Sequence, residues 1–127
     1  MQVLIVDDEP SIRDLFSFYL SRAGFEVSVG ADGEEALDLL VTAKYDLAIL
    51  DALLPRMHGL KVLARLRESE PRDRRTPVII VTGVLTWDVY RKEAMRLGAD
   101  GFLTKPIDMD ELVAAARRLT EIHATAG

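Results

Sequence analysis

Three runs of the chain consist only of apolar residues, and each is too short to be a helix of ordinary length. They read VLIV at 3–6, LAIL at 47–50 and VIIV at 78–81. A strand with one face in water alternates polar and apolar residues, so unbroken apolar runs predict strands that are covered on both faces. Two weaker strand candidates are Phe25–Val29 and Gly101–Leu103. The set predicts a parallel sheet that lies between layers of helices.

A stretch with helical periodicity follows each strand candidate. Apolar residues recur three or four positions apart in these stretches, and Gly24 and Gly98 stand where the first and the fourth would end. Asp108 is placed to cap the fifth. The alternation predicts an α/β fold, a doubly wound five-stranded parallel sheet with five helices, in a single domain over residues 1–127.

Charge and composition argue against several classes of function for this chain. The chain has 16 basic and 21 acidic residues, for a net charge of −5, and this argues against direct nucleic-acid binding, which requires a basic face. It has no cysteine, so neither a disulfide framework nor a cysteine metal site is available. No segment is typical of export or of a membrane span, and we expect a cytoplasmic domain without membrane contact. Arg72, Arg74 and Arg75 are interpreted as a solvated loop.

Polar residues follow four of the five strand candidates. Asp7 and Asp8 come after the first, Asp51 after the third, Thr82 and Gly83 after the fourth, and Lys105 shortly after the fifth. In an open α/β sheet, ligands bind in the crevice outside the carboxyl ends of the strands. The sequence therefore predicts that three carboxylates, one hydroxyl and one ammonium group meet in a single crevice.

This set of groups indicates phosphoryl chemistry. Three neighbouring carboxylates repel one another unless a positive charge intervenes, and Mg²⁺, with Mn²⁺ as a substitute, is a hard cation that suits oxygen ligands. Asp8 and Asp51 are expected to bind it directly, and Asp7 through water. Lys105, the Thr82 hydroxyl and the Gly83 N–H group can bind phosphoryl oxygens. Asp51 lies on the middle strand and is the candidate nucleophile, which would give an acyl phosphate.

Each of these residues also has an ordinary structural interpretation. Asp7 and Asp8 could cap the following helix, in which Pro10 suits the first turn. Lys105 could be a solvated lysine before a proline, and Thr82 could simply end a strand. The occurrence of all of them at four strand ends favours a functional site over four separate coincidences.

The motifs VLIVDDE at 3–9, LAILDALLPRMHG at 47–59, PVIIVTG at 77–83 and GADGFLTKPI at 98–107 resemble the receiver domains of two-component response regulators. The resemblance covers essentially the whole chain. It implies a flavodoxin-like sheet of strand order 2-1-3-4-5. It also implies a histidine kinase, a phosphotransfer protein or a small phosphodonor as phosphoryl source, and a downstream protein or an attached effector domain as recipient of the signal.

The resemblance assigns roles by position. Asp51 is the expected phosphoacceptor, Asp7 and Asp8 the metal-binding acids, and the backbone carbonyl of Leu53 a further metal ligand. Thr82 and Lys105 would hold the phosphoryl group. The Lys105–Pro106 peptide bond is expected to be cis.

The resemblance also implies a switch between two packing states. Phe102 would turn inward as Thr82 moves toward the phosphoryl group, altering the surface of the fourth helix, fifth strand and fifth helix; plain core packing of Phe102 is the alternative. The domain would catalyse only its own phosphorylation and dephosphorylation, and is not expected to be an enzyme that turns over a metabolite.

Departures from the family pattern carry expectations of their own. Leu53 and Val84 are apolar at positions that often carry polar side chains beside the phosphoryl group, which predicts slow hydrolysis of the acyl phosphate. Gly101 stands where many transcription-factor receivers have a second acid, which weakens the case for their salt-bridged dimer. Leu85 and Trp87, with Val84, form either a partner surface or half-buried packing.

Three alternative functions differ in testable features. A receiver-like docking module would not be phosphorylated. A phosphatase with an aspartyl phosphate intermediate would place its nucleophile after the first strand in an Asp-x-Asp-x-Thr motif, whereas residues 7–11 read DDEPS. A flavodoxin-like nucleotide binder would need a phosphate-binding loop after the first strand, and none is present there.

Overall fold

Strands and helices alternate strictly along the chain in a computed structural model, which describes residues 1–71, 74–83 and 87–126. The strands are β1 Gln2–Val6, β2 Glu26–Gly30, β3 Leu47–Asp51, β4 Val78–Thr82 and β5 Gly101–Thr104. The helices are α1 Pro10–Arg22, α2 Gly33–Thr42, α3 Gly59–Ser69, α4 Trp87–Arg96 and α5 Met109–Ala126. Within the described residues no helix combines the length and the apolar composition that a bilayer span requires.

All five strands are parallel and lie in the order β2-β1-β3-β4-β5. After β1 the chain forms β2 toward one edge of the sheet, and it then returns to form β3 on the other side of β1. The connections therefore diverge between β1 and β3. This point of divergence is where open α/β sheets bind ligands. The predicted fold class and strand order are confirmed.

The sheet separates two hydrophobic layers. Leu4 and Leu50 face α2, α3 and α4, whereas the neighbouring residues Ile5 and Ile49 face α1 and α5. Both sets are almost completely buried. Burial on both faces explains why the central strands are continuous apolar runs rather than alternating ones.

The predicted helix ends are observed. Gly24 and Gly98 follow α1 and α4 with φ angles of +100° and +102°, in the left-handed region that glycine adopts without strain. Asp108 Oδ1 accepts the N–H of Asp110 at 2.8 Å, as a residue that caps α5 should. Pro10 lies in the first turn of α1.

Hydrogen bonds and ion pairs of two arginines connect the elements at the end of the sheet opposite the predicted crevice. Arg67, on α3, donates to the Gly98 carbonyl at 2.9 Å and to Asp100 Oδ2 at 3.1 Å, and its side chain is only 16% exposed. Arg75 pairs with the other oxygen of Asp100 at 2.7 Å. Asp100 Oδ2 also accepts the N–H of Val78, at the start of β4.

Arg75 is exposed, as expected for a solvated loop, although its guanidinium also pairs with Asp100. Arg74 is exposed, and Arg72 lies outside the described residues. The Asp100 carboxylate accepts hydrogen bonds from Arg75 and from the N–H of Val78, the first residue of β4.

Gly59 allows the first residue of α3 to lie against the end of β3. Its N–H donates to the Ala52 carbonyl at 2.9 Å. A Cβ atom at position 59 would lie 2.1 Å from the backbone oxygen of Asp51. There is thus no space for a side chain at position 59, and glycine allows the chain after Asp51 to stay close to the sheet.

We expect Gly59→Ala to lower the free energy of unfolding by about 3 kcal/mol, because the main chain of α3 or β3 must move to admit the methyl group. Urea denaturation measures the effect. Gly83→Ala is the stability control, since its Cβ would meet the Lys105 side chain at an ordinary 3.7 Å. Equal losses in the two variants would contradict the packing argument.

Candidate functional site at the carboxyl edge of the sheet

One ammonium group joins two buried carboxylates at the predicted crevice. Lys105 Nζ lies 2.8 Å from Asp7 Oδ2 and 2.9 Å from Asp51 Oδ2. Lys105 follows β5, while the two acids come from β1 and β3, so three strands contribute to the contact. The expectation that these side chains meet is confirmed.

Asp7 is held at all of its polar groups. It is 2% exposed. Its Oδ1 accepts the N–H of Glu9 at 2.9 Å, and its own N–H donates to the Gly30 carbonyl at 3.2 Å. The capping alternative fails for α1, because its N-cap residue is Glu9 and no side chain caps the helix. Asp7 instead shapes the turn that leads into α1 and pairs with Lys105.

Asp51 is 7% exposed and lies at the end of β3, where it forms a ladder pair with Val81. Its Oδ1 accepts the N–H of Leu53 at 2.9 Å. Burial raises the pKa of the Asp51 carboxyl above its ordinary value, against the opposing effects of Lys105 and of the Leu53 N–H group. Burial acts to lower the pKa of Lys105, but hydrogen bonds to Asp51 and Asp7 outweigh it and raise that pKa.

The acidic residues fit a small divalent cation. Asp7, Asp8 and Asp51 each offer one carboxylate oxygen, and these three oxygens lie within 4.8 Å of one another. Two oxygens bound to the same Mg²⁺ are at most about 4.2 Å apart. One water molecule between Asp7 and the ion would close the difference. Asp8 is exposed and accessible to a hydrated ion.

The candidate phosphate-binding residues flank Lys105. Thr82 is fully buried as the last residue of β4, and its carbonyl accepts the Lys105 N–H at 2.8 Å. Gly83 is exposed beside the aliphatic part of the Lys105 side chain. The Lys105–Pro106 peptide bond is cis, as expected.

Phe102 is half-buried on β5 and packs against the hydrophobic layer that contains Ala94 of α4. This location is compatible with both the switch and the core interpretation, and the switch stays a prediction. Val84 and Leu85 lie outside the described residues, as does the side chain of Trp87, so the question whether this segment is a partner surface lies there too.

The loop after Asp51 is fixed against α2. The Pro55 carbonyl accepts the N–H groups of Gly33 and Met57, at 3.1 and 2.8 Å. Arg56, between them, has a φ angle of +69°, which is costly for a residue with a side chain. The Leu53 side chain is 42% exposed next to the crevice. The segment that follows Leu53 is thus held against the first residue of α2.

Sequence reasoning missed Arg13, whose Nη1 donates to the Asp7 backbone carbonyl at 2.7 Å. The only available signal was a basic residue near the start of the helix after the acidic pair. That signal is weak, because basic residues are common on helix surfaces.

A sequence model of the response regulator receiver domain matches residues 3–117. The chain belongs to the response regulator receiver domain family. Among curated proteins, the transcriptional regulatory protein DltR of Streptococcus agalactiae serotype III (strain NEM316) is 39% identical over 121 residues, which are 94% of this chain and 52% of DltR. This receiver domain therefore spans about half the length of that relative.

Solved receiver domains share the fold. A CheY-like receiver domain protein from Methanospirillum hungatei JF-1 aligns with a TM-score of 0.90 and 27% identity over 99% of this chain and 98% of the other. The receiver domain of sensor histidine kinase PA1611 from Pseudomonas aeruginosa PAO1 aligns with a TM-score of 0.84 and 27% identity, over 94% of this chain and 97% of the other. In that structure a magnesium ion is coordinated in the active site cleft.

We expect Asp51→Asn to raise the melting temperature of the receiver domain at pH 7 without divalent cations. A raised pKa in the folded state means that stability from protonated Asp51 is present at low pH and is lost as pH rises through that pKa. Asparagine avoids this loss, so its advantage should shrink as pH falls toward the ordinary value of 3.8.

Thermal unfolding followed by circular dichroism between pH 4 and pH 7 measures the difference. Asp38→Asn, on an exposed face of α2, makes the same change in charge and should shift the melting temperature little. An advantage of Asp51→Asn that does not depend on pH would contradict the explanation.

Proposed function

We propose that this receiver domain accepts a phosphoryl group on Asp51 in a reaction that requires Mg²⁺, and that phosphorylation changes its binding surface. The observation that carries the proposal is the position of Lys105 Nζ, which lies within hydrogen-bond distance of both Asp51 and Asp7. A cation already placed beside the nucleophile can compensate charge on an incoming phosphoryl group.

Asp51 is the proposed acceptor because of its place among the acids. It lies on the central strand β3, between Asp7 on the β1 side and Thr82 on the β4 side. A carboxylate oxygen of Asp51 would form the new bond to phosphorus while the bond from phosphorus to the donor breaks. The Leu53 N–H group holds the other oxygen and fixes the plane of the carboxylate.

The acidic cluster is the proposed cation site. Asp8 and Asp51 would bind the ion directly, Asp7 through water, and the Leu53 carbonyl would add a ligand. When bound, Mg²⁺ supplies positive charge that neutralises the carboxylates and the phosphoryl oxygens. The acidic set in this chain and the magnesium ion in the cleft of the PA1611 receiver domain support this assignment.

On the side of Asp51 away from the proposed cation site, the phosphoryl oxygens would be bound by a hydroxyl, an N–H and an ammonium group. These groups belong to Thr82, Gly83 and Lys105. Movement of Thr82 would be coupled to reorientation of Phe102, which packs against the layer that includes α4. The altered surface would comprise α4, β5 and α5.

The proposed role is signalling, with the domain catalysing only its own phosphorylation and dephosphorylation. A sensor histidine kinase, a phosphotransfer protein or a small phosphodonor would supply the group in the cytoplasm. The output would pass to a partner protein or to an attached effector domain, since DltR, a transcriptional regulatory protein, is about twice as long as the matched region. With a net charge of −5, this domain is not proposed to bind DNA itself.

Intact mass spectrometry after incubation with acetyl phosphate and Mg²⁺ tests the acceptor. We expect one phosphoryl adduct on the wild type, none after removal of divalent cations with EDTA, and none on Asp51→Asn. Asp38→Asn, with the same change in charge, should be phosphorylated like the wild type. An adduct that persists on Asp51→Asn would contradict the assignment, and absence of phosphorylation by any donor would favour a docking module.

Hydrolysis of the acyl phosphate should accelerate in Leu53→Asn. The amide can hydrogen-bond an attacking water molecule, which the leucine cannot do, and a transition-state hydrogen bond worth about 1 kcal/mol corresponds to about fivefold in rate. The half-life of the phosphorylated protein measures this effect, with Leu53→Met as the apolar control. A half-life that is equal in the asparagine and methionine variants would refute the role of the side chain.

A further inference from the structure

Arg13 binds the backbone of the acidic turn rather than any of its side chains. Its Nη1 donates to the Asp7 carbonyl oxygen, six positions earlier in the chain, at 2.7 Å. The other hydrogen bonds of Asp7 come from Glu9 and Lys105 and go to Gly30. Among the described residues, Arg13 therefore supplies the one side-chain hydrogen bond from α1 to the Asp7 carbonyl.

The carbonyl of Asp7 belongs to the same planar unit as the N–H and Cα of Asp8. A bond that fixes this carbonyl therefore fixes the position of the Asp8 Cα atom and restricts the directions in which the Asp8 side chain can leave the backbone. Within the described part of the chain, the Asp8 carboxylate takes part in no hydrogen bond or ion pair of its own, and the residue is exposed. Its orientation thus depends on its backbone.

We propose that Arg13 is a positioning residue for the divalent cation, holding the Asp7–Asp8 peptide so that Asp8 points at Asp51. The proposal rests on the cation site described under the proposed function. Arg13 does not touch the ion in this scheme. It acts as an outer partner that orients a ligand, and loss of such partners typically weakens metal binding by about 10- to 100-fold.

A positioning role and a purely electrostatic effect of Arg13 predict opposite changes in Mg²⁺ affinity when Arg13 is replaced. The guanidinium is always positive, and a positive charge close to a cation site repels the cation. If charge alone mattered, replacing Arg13 with a neutral residue would strengthen Mg²⁺ binding. If Arg13 positions Asp8, the same replacement weakens binding, because the carboxylate must be oriented at the moment of binding.

The test compares Mg²⁺ affinities by isothermal titration calorimetry for the wild type, Arg13→Met, Arg13→Lys and Arg22→Met. Arg22→Met is the matched control, since it removes the same charge from the last turn of the same helix. We expect Arg13→Met to raise the dissociation constant about tenfold or more. Arg13→Lys, which keeps a donor and the charge, should recover part of the affinity, and Arg22→Met should bind like the wild type.

Thermal unfolding without Mg²⁺ separates positioning from a general structural role. Arg13→Met and Arg22→Met should melt at similar temperatures, and an Arg13→Met protein that is unfolded without Mg²⁺ would overturn the proposal. Unchanged or tighter Mg²⁺ binding by Arg13→Met, with normal binding by the wild type, overturns this inference and leaves the proposed function intact. No Mg²⁺ binding by the wild type overturns both.

Discussion

The contact of Lys105 with Asp7 and Asp51 is the interaction on which the site depends. It joins residues 98 and 54 positions apart in the chain, so it forms only when β1, β3 and β5 are in place. One ammonium among three acids leaves the cluster with an excess of negative charge. Burial raises the pKa of Asp51, and the excess negative charge of the cluster is what the proposed divalent cation would neutralise.

The sheet supplies the geometry for this contact. Asp51 and Thr82 are members of the strand ladder, not of flexible loops, and their positions are therefore fixed by main-chain hydrogen bonds to neighbouring strands. Behind them, Gly59 allows α3 to start directly against the Asp51 backbone. The proposed nucleophile, held in this way, would need little reorganisation when a phosphoryl donor arrives, which is the condition under which positioning lowers a reaction barrier.

Sequence alone predicted the strands with unbroken apolar runs, the glycine ends of α1 and α4, and the meeting of Asp7, Asp51 and Lys105. Those features follow from local patterns and from the rule that parallel strands end at one edge. It did not predict the contacts of Arg13 and Arg67, because both donate to backbone carbonyls, which every residue has. Arg67 finds the Gly98 carbonyl 31 positions away, and no side-chain pattern marks such a partner in advance.

Among the described residues, the two hydrophobic layers have no side chain in common, and this affects how the sequence of such a domain can diverge. Substitutions that are distant and share no partners act almost independently on stability. Neighbouring side chains around Phe16 and Leu112 can therefore be exchanged together on one face, while the packing around Ala94 and Phe102 on the other face is retained. During evolution, such a domain can therefore acquire a different outer surface on one face of the sheet while the surface on the other face is preserved.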